Sequence, residues 1–425
     1  MKKVKVLILG SITSQAYSAL GMHKHAYGAG WVENLINSLK EKGLEIYSVS
    51  ITGEVNEVTY NTLNGIRYIS LPEPSGSKEK KMKTFIDLFK DVLRSASPDI
   101  VHIIGTEREY NYALFKAFDN PKKTIVSMTG LITFCARHYL GGIDKAELKH
   151  RTIGDHIRRW GPLVEQKEFY KASIYEQMLL KEAKYVFGRT SWDMACSYLI
   201  NPKIEYIHCG EIINPVFSTK EWKISSCEKY SIFISQASYP LKGFHVLLEA
   251  LPYVLKKFPK TKVYVAGHDM FDSSSFMARI KISTYARYLL RLIKKLKIDK
   301  NSISFIGYQN TGGMLKNYLN ANVFVLPSSI ENSPNSLGEA MSLGVPSIAA
   351  HVGGVPDMIE SGKNGFTYPS DEPYLLAKRI IEIFDDSKVA SELSKNARKS
   401  SQSFFNKKDT IDTTVETYNK LLKKR

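Results

Sequence analysis

Short runs of apolar, mostly β-branched residues recur along this chain, and longer stretches with helical spacing separate them. VKVLILG, LEIYSVSI, GIRYIS, DIVHIIG, KTIVSMT, KYVFGRT and IEYIH fill the first half; YSIFISQ, KVYVAGH, SISFIGY, NVFVLPS and VPSIAA fill the second. Near-continuous apolar strands must be covered on both faces, and the intervening helices supply that cover. Two such series predict an α/β protein of two doubly wound, Rossmann-like domains. Ligands of open parallel sheets bind beyond the carboxyl ends of the strands. Two domains facing each other with those edges would enclose an interdomain cleft. A chain of 425 residues is long enough for both cores. The expected division is an N-terminal domain over 1–208, a linker of weak periodicity over 209–228, and a second domain over 229–385. A helical segment over 386–425 has the option of returning to the first domain.

Four scattered cysteines (Cys135, Cys196, Cys209, Cys227) form no CxxC pair, so neither a disulfide framework nor a zinc site is expected, and a reducing cytoplasm fits. No stretch approaches the ~20 apolar residues of a membrane span. The basic N-terminal start is read as leading into a first strand and not as a signal peptide. Lys and Arg outnumber Asp and Glu by 59 to 42, which points to an anionic partner: nucleic acid, acidic lipid or a phosphorylated substrate. Two basic stretches, Arg279 to Lys300 and the cluster Arg158-Arg159-Trp160, are candidates for a peripheral contact with an anionic membrane.

The stretch SSIENSPNSLGEAMSLGVPSIAAHVGG, from Ser328 to Gly354, carries the chemistry. It reads as a loop after the strand NVFVLPS, then a helix with Ser333 as N-cap and Pro334 in its first position, ended by Gly344 and Pro346. The free amides of Asn335, Ser336 and Leu337 would face out of the positive end of the dipole, which is a phosphate site. Glu331 lies before those amides and Glu339 one turn beyond them. Carboxylates repel phosphate but accept hydrogen bonds from sugar hydroxyls. A diphosphate flanked by two sugars satisfies all three elements, and a nucleotide diphosphate sugar is such a molecule. Lys242, at the loop-to-helix junction of YPLKGFHVLLEAL, is placed to neutralise a leaving diphosphate.

Glu331, Glu339, EAMSLGVP and HVGGVPDMIESGKNGF together resemble the donor-binding signature of family-four retaining glycosyltransferases of the GT-B fold. FIGYQNTGGMLKNYLNANVFVLPSS and YPLKGFHVLLEALPYVLKKFP extend the likeness over most of the C-terminal half. The resemblance, to bacterial cell-surface polysaccharide glycosyltransferases in particular, implies roles. Glu331 would meet the donor sugar, Glu339 the ribose, the amides near Asn335 and Ser336 the diphosphate, and the backbone beside Tyr308 the base. It implies no cofactor, and Lys242 with the helix amides would replace a metal. The family pairs that Lys with an Arg; here Gln236 stands in its region and would hydrogen-bond without neutralising. The family's Gly-Gly loop corresponds to Gly28 and Gly30 before an amphipathic helix. Its mid-domain His is absent at Thr129-Gly130, and His138 is assigned a positioning role. The implied reaction is retaining transfer from a nucleotide diphosphate sugar, a UDP-sugar by family frequency, to a glycan or lipid-linked acceptor. Nucleic acid is not expected as a partner. The alternative is a degenerate transferase that only binds membrane or nucleic acid through its basic surface.

Overall fold

The computed structural model describes residues 3–24 and 30–423. They form two compact units. The first contains the chain up to Thr133, Lys171–Asn214 and the residues from Phe405; the second contains Phe134–Tyr170 and Pro215–Phe404.

The first unit is built on strands β1 (Lys5–Leu9), β2 (Glu45–Thr52), β3 (Thr59–Leu63), β4 (Ile66–Pro72), β5 (Ile100–Ile104), β6 (Thr124–Ser127), β7 (Tyr185–Gly188) and β8 (Glu205–His208). Their order is β3-β4-β2-β1-β5-β6-β7-β8, parallel except for the β3–β4 hairpin. Val6 of β1 faces Ile46 of β2 and Ile100 of β5, and every residue of β5 is buried. The core includes Leu35, Leu39, Ile125 and Tyr185, closed by Ile411, Tyr418 and Leu421 of the last helix, Lys407–Lys423. His102 is fixed there: Nδ1 lies 2.7 Å from the Tyr418 hydroxyl and Nε2 2.6 Å from Ser127 Oγ. Burial pushes its imidazole down to about 3, so the ring is neutral.

The second unit holds an all-parallel sheet of β9 (Ser231–Ile234), β10 (Lys262–Val265), β11 (Ile303–Phe305), β12 (Val323–Leu326), β13 (Ser347–Ala350) and β14 (Phe366–Tyr368), in the order β11-β10-β9-β12-β13-β14. The strand order reverses direction at β9, between β10 and β12. The loops leaving β9 and β12 therefore flank the crevice where such sheets bind ligands.

Two parts of the chain depart from the expected division. Residues 134–170 lie inside the expected first domain in sequence but cluster with the second unit. The stretch 209–228 is packed: Cys209, Ile212, Phe217 and Trp222 are buried, and the Trp222 indole donates to Ala321 O at 2.7 Å. Its backbone passes from one unit to the other at Asn214–Pro215.

The basic stretch from Arg279 to Lys300 is also not one helix. It breaks at Ile282–Ser283 between the helices Phe276–Lys281 and Thr284–Lys295, where Ser283 caps the second. Arg287 donates to His150 O, and Arg291 pairs with Glu147 at 2.7 Å. Two basic side chains of this stretch thus bind the 134–170 segment.

Candidate functional site

β9 and β12 are hydrogen-bonded neighbours, so the loops that follow them start side by side. The loop after β9 reaches a tight turn at Pro240–Lys242, then Gly243 opens the helix Phe244–Lys257. Ser329, after β12, donates to Leu241 O from its backbone at 2.8 Å and from its hydroxyl at 3.1 Å. Gly243 has φ +68°, and a Cβ there would lie 1.8 Å from Pro327 O. Only glycine lets the two loops approach so closely.

This stitching sets Lys242 Nζ 2.6 Å from Glu331 Oε1, with both side chains largely shielded. Burial works against the Lys242 ammonium, but the Glu331 carboxylate, helped by Tyr239, outweighs it and holds the group charged above the ordinary lysine range. The Tyr239 ring lies 6.0 Å from Nζ. On its far side Glu331 is gripped by the Gly353-Gly354 turn. Gly354 N–H donates to Glu331 O at 3.1 Å, and a Cβ on Gly353 (φ +51°) would stand 1.9 Å from that oxygen.

The following helix runs Asn335–Leu343, one residue later than expected. Pro334 is its cap, because ψ of 119° keeps it extended, and no side chain caps the helix start. The Ser333 hydroxyl is therefore not the cap. Leu337 N–H donates to Pro334 O at 3.0 Å, so Leu337 is not among the open amides, leaving Asn335 and Ser336 as the first-turn donors the helix does not use. Around this start, Ser328 Oγ, Ser333 Oγ and Asn335 Oδ1 are buried without a hydrogen-bond partner. Buried polar atoms are rarely left so, and three together fit a ligand rich in hydroxyl and phosphate oxygens.

Glu339 sits one turn into the helix. The Tyr318 hydroxyl lies 3.0 Å from its Oε2 and 3.0 Å from Ser336 O. Burial raises the Glu339 carboxyl to about 7, and the Tyr318 hydrogen bond only partly opposes this. Tyr318 itself is fully buried, between Phe233 and Phe324.

The remaining expected residues are more dispersed. Gln236 is exposed in the loop after β9, and Tyr308, beyond β11, is 75% exposed. His138 ends the helix Ile132–His138. Its carbonyl accepts from Ser329 Oγ at 2.8 Å, while partial desolvation and the neighbouring Arg137 push its imidazole below the usual range. The structure thus brings His138 to the loop after β12 by its backbone. Gly30 begins the helix Gly30–Glu41 in the first unit, and Gly28 lies outside the described residues.

At Thr129-Gly130, where the expected histidine is missing, a carboxylate is found. Glu107 accepts from the Thr129 hydroxyl and from Gly130 N–H at 3.0 Å. Behind it, buried Glu176 accepts from Thr133 N–H at 2.8 Å, Ile132 N–H at 3.1 Å and the Thr106 hydroxyl at 2.5 Å. No motif in the sequence marks Glu107 or Glu176; Tyr239 and Tyr318 lie inside stretches that carry the resemblance but are given no role there.

The whole chain has the GT-B fold. It matches the sucrose-phosphate synthase of Thermosynechococcus elongatus with a TM-score of 0.71 at 16% identity over 99% of each chain. It matches Anabaena HepE in complex with UDP and glucose with a TM-score of 0.65 at 14% identity, over 98% of this chain and 100% of that one. Residues 217–400 match the family described as glycosyl transferases group 1. Among curated relatives, spore coat protein SA of Bacillus subtilis is 27% identical over 195 residues, 45% of this chain and 49% of its own length. The aligned part thus spans about half of that relative.

Proposed function

We propose that the chain transfers a sugar from a nucleotide diphosphate sugar to a hydroxyl of a glycan or lipid-linked acceptor, with retention at the anomeric carbon. The observation that carries this reading is the Lys242–Glu331 pair beside an uncapped helix start surrounded by three unpartnered buried polar atoms. The amides of Asn335 and Ser336, with Lys242, receive the diphosphate. Glu331 accepts hydrogen bonds from the transferred sugar and Glu339 from the ribose. The backbone beside Tyr308 receives the base, and exposed Gln236 adds a hydrogen bond to a phosphate oxygen. A UDP-sugar is favoured because HepE, a neighbour in fold, is solved with UDP and glucose.

In the reaction, the bond from the anomeric carbon to the diphosphate oxygen breaks. The acceptor oxygen bonds to that carbon on the same face, and the acceptor's proton passes to the departing diphosphate. Lys242 stabilises the charge that develops on the leaving group, so no metal is required. His138 has a positioning role, and Gly28 and Gly30, as glycines, would let backbone approach a donor phosphate or an acceptor closely. The setting is cell-surface polysaccharide synthesis at the cytoplasmic face of a membrane.

Incubating the protein with a panel of nucleotide-sugars and candidate acceptors tests this. The expected result is release of nucleoside diphosphate together with a product whose anomeric configuration, read by NMR, matches the donor's. Tight binding of every nucleotide-sugar with no turnover would favour the non-catalytic alternative.

A further inference from the structure

Five large apolar side chains stay in solvent on two short helices of the second unit. Ile153 and Ile157, on the helix Ile153–Ile157, are 65% and 72% exposed, and Trp160 just beyond it is 46% exposed. Phe276 and Met277, which open the helix Phe276–Lys281, are 75% and 56% exposed. Single exposed apolar residues need no explanation. Four of these five belong to helices that pack on each other, and Trp160 follows the first of them.

The tip they form is rigidly built. The Arg158 guanidinium donates to Lys281 O at 3.1 Å and to Asp155 Oδ1 at 2.8 Å. The buried Asp155 also accepts from Thr284 N–H at 2.6 Å, which locks the first helix to the start of Thr284–Lys295. These bonds hold its carboxyl below the usual range although burial alone would raise it. The apolar side chains are therefore presented by a fixed scaffold.

The rim of the tip is basic. Arg158, Arg159, Arg279 and Lys281 are all exposed, and Asp155 offsets only Arg158. Three further carboxylates, Glu165, Asp269 and Asp272, stand on the wall of an adjoining cavity of about 550 Å³. Trp160, Met277 and Lys281 of the tip line the same cavity as Tyr239 and Pro240 of the Lys242 loop. Aromatic and aliphatic side chains ringed by guanidinium and ammonium groups have the chemistry of interfacial membrane binding. The apolar groups enter the acyl boundary while the cations stay with lipid phosphates. Among the described residues no helix is long and apolar enough to cross a bilayer, so contact through this tip would be peripheral.

We propose that the tip formed by the helices Ile153–Ile157 and Phe276–Lys281 docks the chain on an anionic membrane. The cavity then opens at the headgroups, where an acyl-anchored acceptor would present its hydroxyl. Docking does not depend on the transfer reaction, so the two readings fail separately.

The test is flotation of the full chain with phosphatidylcholine vesicles, with and without one-third phosphatidylglycerol, at low and high salt. Capture is expected only with phosphatidylglycerol and is expected to fall as salt screens the rim. Ile157→Ser combined with Phe276→Ser should lower capture at least ~10-fold, and Arg159→Glu should weaken it at low salt. All three positions are solvent-facing, so thermal unfolding and UDP affinity by calorimetry should stay at wild-type values. Equal capture by neutral and anionic vesicles, or full capture of the double variant, overturns the proposal. So does a concentration-dependent dimer that the double variant abolishes while vesicles capture nothing, because the tip would then be covered by a second copy.

Discussion

Lys242 Nζ donates to Glu331 Oε1 at 2.6 Å across the junction of the β9 and β12 loops. In the proposed donor complex each partner has a second task, Lys242 on the diphosphate and Glu331 on the sugar. The pair pre-positions both before the donor arrives. Lys242→Ala should therefore lower turnover by about two orders of magnitude or more, the scale of a lost oxyanion donor. It should also cost stability, about 1–3 kcal/mol for the hydrogen bond left unmade. Steady-state kinetics beside denaturant unfolding separate the two, and near-normal turnover would show that another cation serves the leaving group.

Glu339 gives a pH dependence whose sign is fixed. Its carboxyl is raised to about 7 by burial, so in the folded protein it is largely protonated below that pH. Ribose hydroxyls donate best to the ionised form. UDP affinity should rise as pH increases from about 6 to about 8, around that value, and Glu339→Gln should flatten the profile. Stability runs the other way. A raised folded pKa contributes stability that is fully present below the unfolded value and is lost as pH rises through about 7. Calorimetric titrations of UDP at several pH values check the first claim, and thermal unfolding of wild type against Glu339→Gln checks the second.

Gly353 controls Glu331 from behind. A Cβ there would stand 1.9 Å from Glu331 O, and φ is +51°. Gly353→Ala should destabilise the fold by about 1–3 kcal/mol and depress turnover further than that loss of folded protein explains. Kinetics at a temperature where the variant is fully folded measure the second effect.

Glu176 should matter to the fold of the first unit. It receives two backbone N–H groups and the Thr106 hydroxyl. Glu176→Ala leaves these donors buried without a partner and should cost at least about 2 kcal/mol. Burial raises this carboxyl to about 7, opposed by hydrogen bonds from Thr106 and Thr133 and reinforced by Glu107. The wild type should thus lose part of its advantage over the variant as pH rises from about 5 to about 8, which urea unfolding at those pH values would reveal.

The apolar runs of the sequence correspond to twelve of the fourteen strands, because a parallel strand buried on both faces has a continuous signal. Of the two others, β14 is only three residues long, and β3 alternates partly buried and exposed residues at the sheet edge and pairs with β4 through the Asn64-Gly65 turn. Its polar TYNTL carries little of that signal, although the Asn-Gly step is a hairpin marker. The Lys242 and Glu331 positions were legible because each sits just after an apolar strand. Tyr318 was not, since the alignment of a tyrosine on one helix with a glutamate on the next depends on tertiary packing. The break at Ile282–Ser283 was hidden for a related reason. Its apolar period is helical on both sides, and only the Ser283 cap, a weak local signal, marks the interruption. The placement of residues 134–170 in the second unit rests on contacts such as His245 Nε2 to Gly141 O at 2.8 Å, between residues far apart in the chain.

The most direct test of the donor site is calorimetry of UDP and of UDP-glucose against wild type, Glu331→Gln and Glu339→Ala. If Glu339 holds the ribose and Glu331 the transferred sugar, Glu339→Ala weakens both ligands alike, by about 1.5–3 kcal/mol for a charged hydrogen bond. Glu331→Gln then weakens UDP-glucose and leaves UDP nearly unchanged. Equal losses for both ligands in both variants, or unchanged UDP affinity in folded Glu339→Ala, would contradict the assignment.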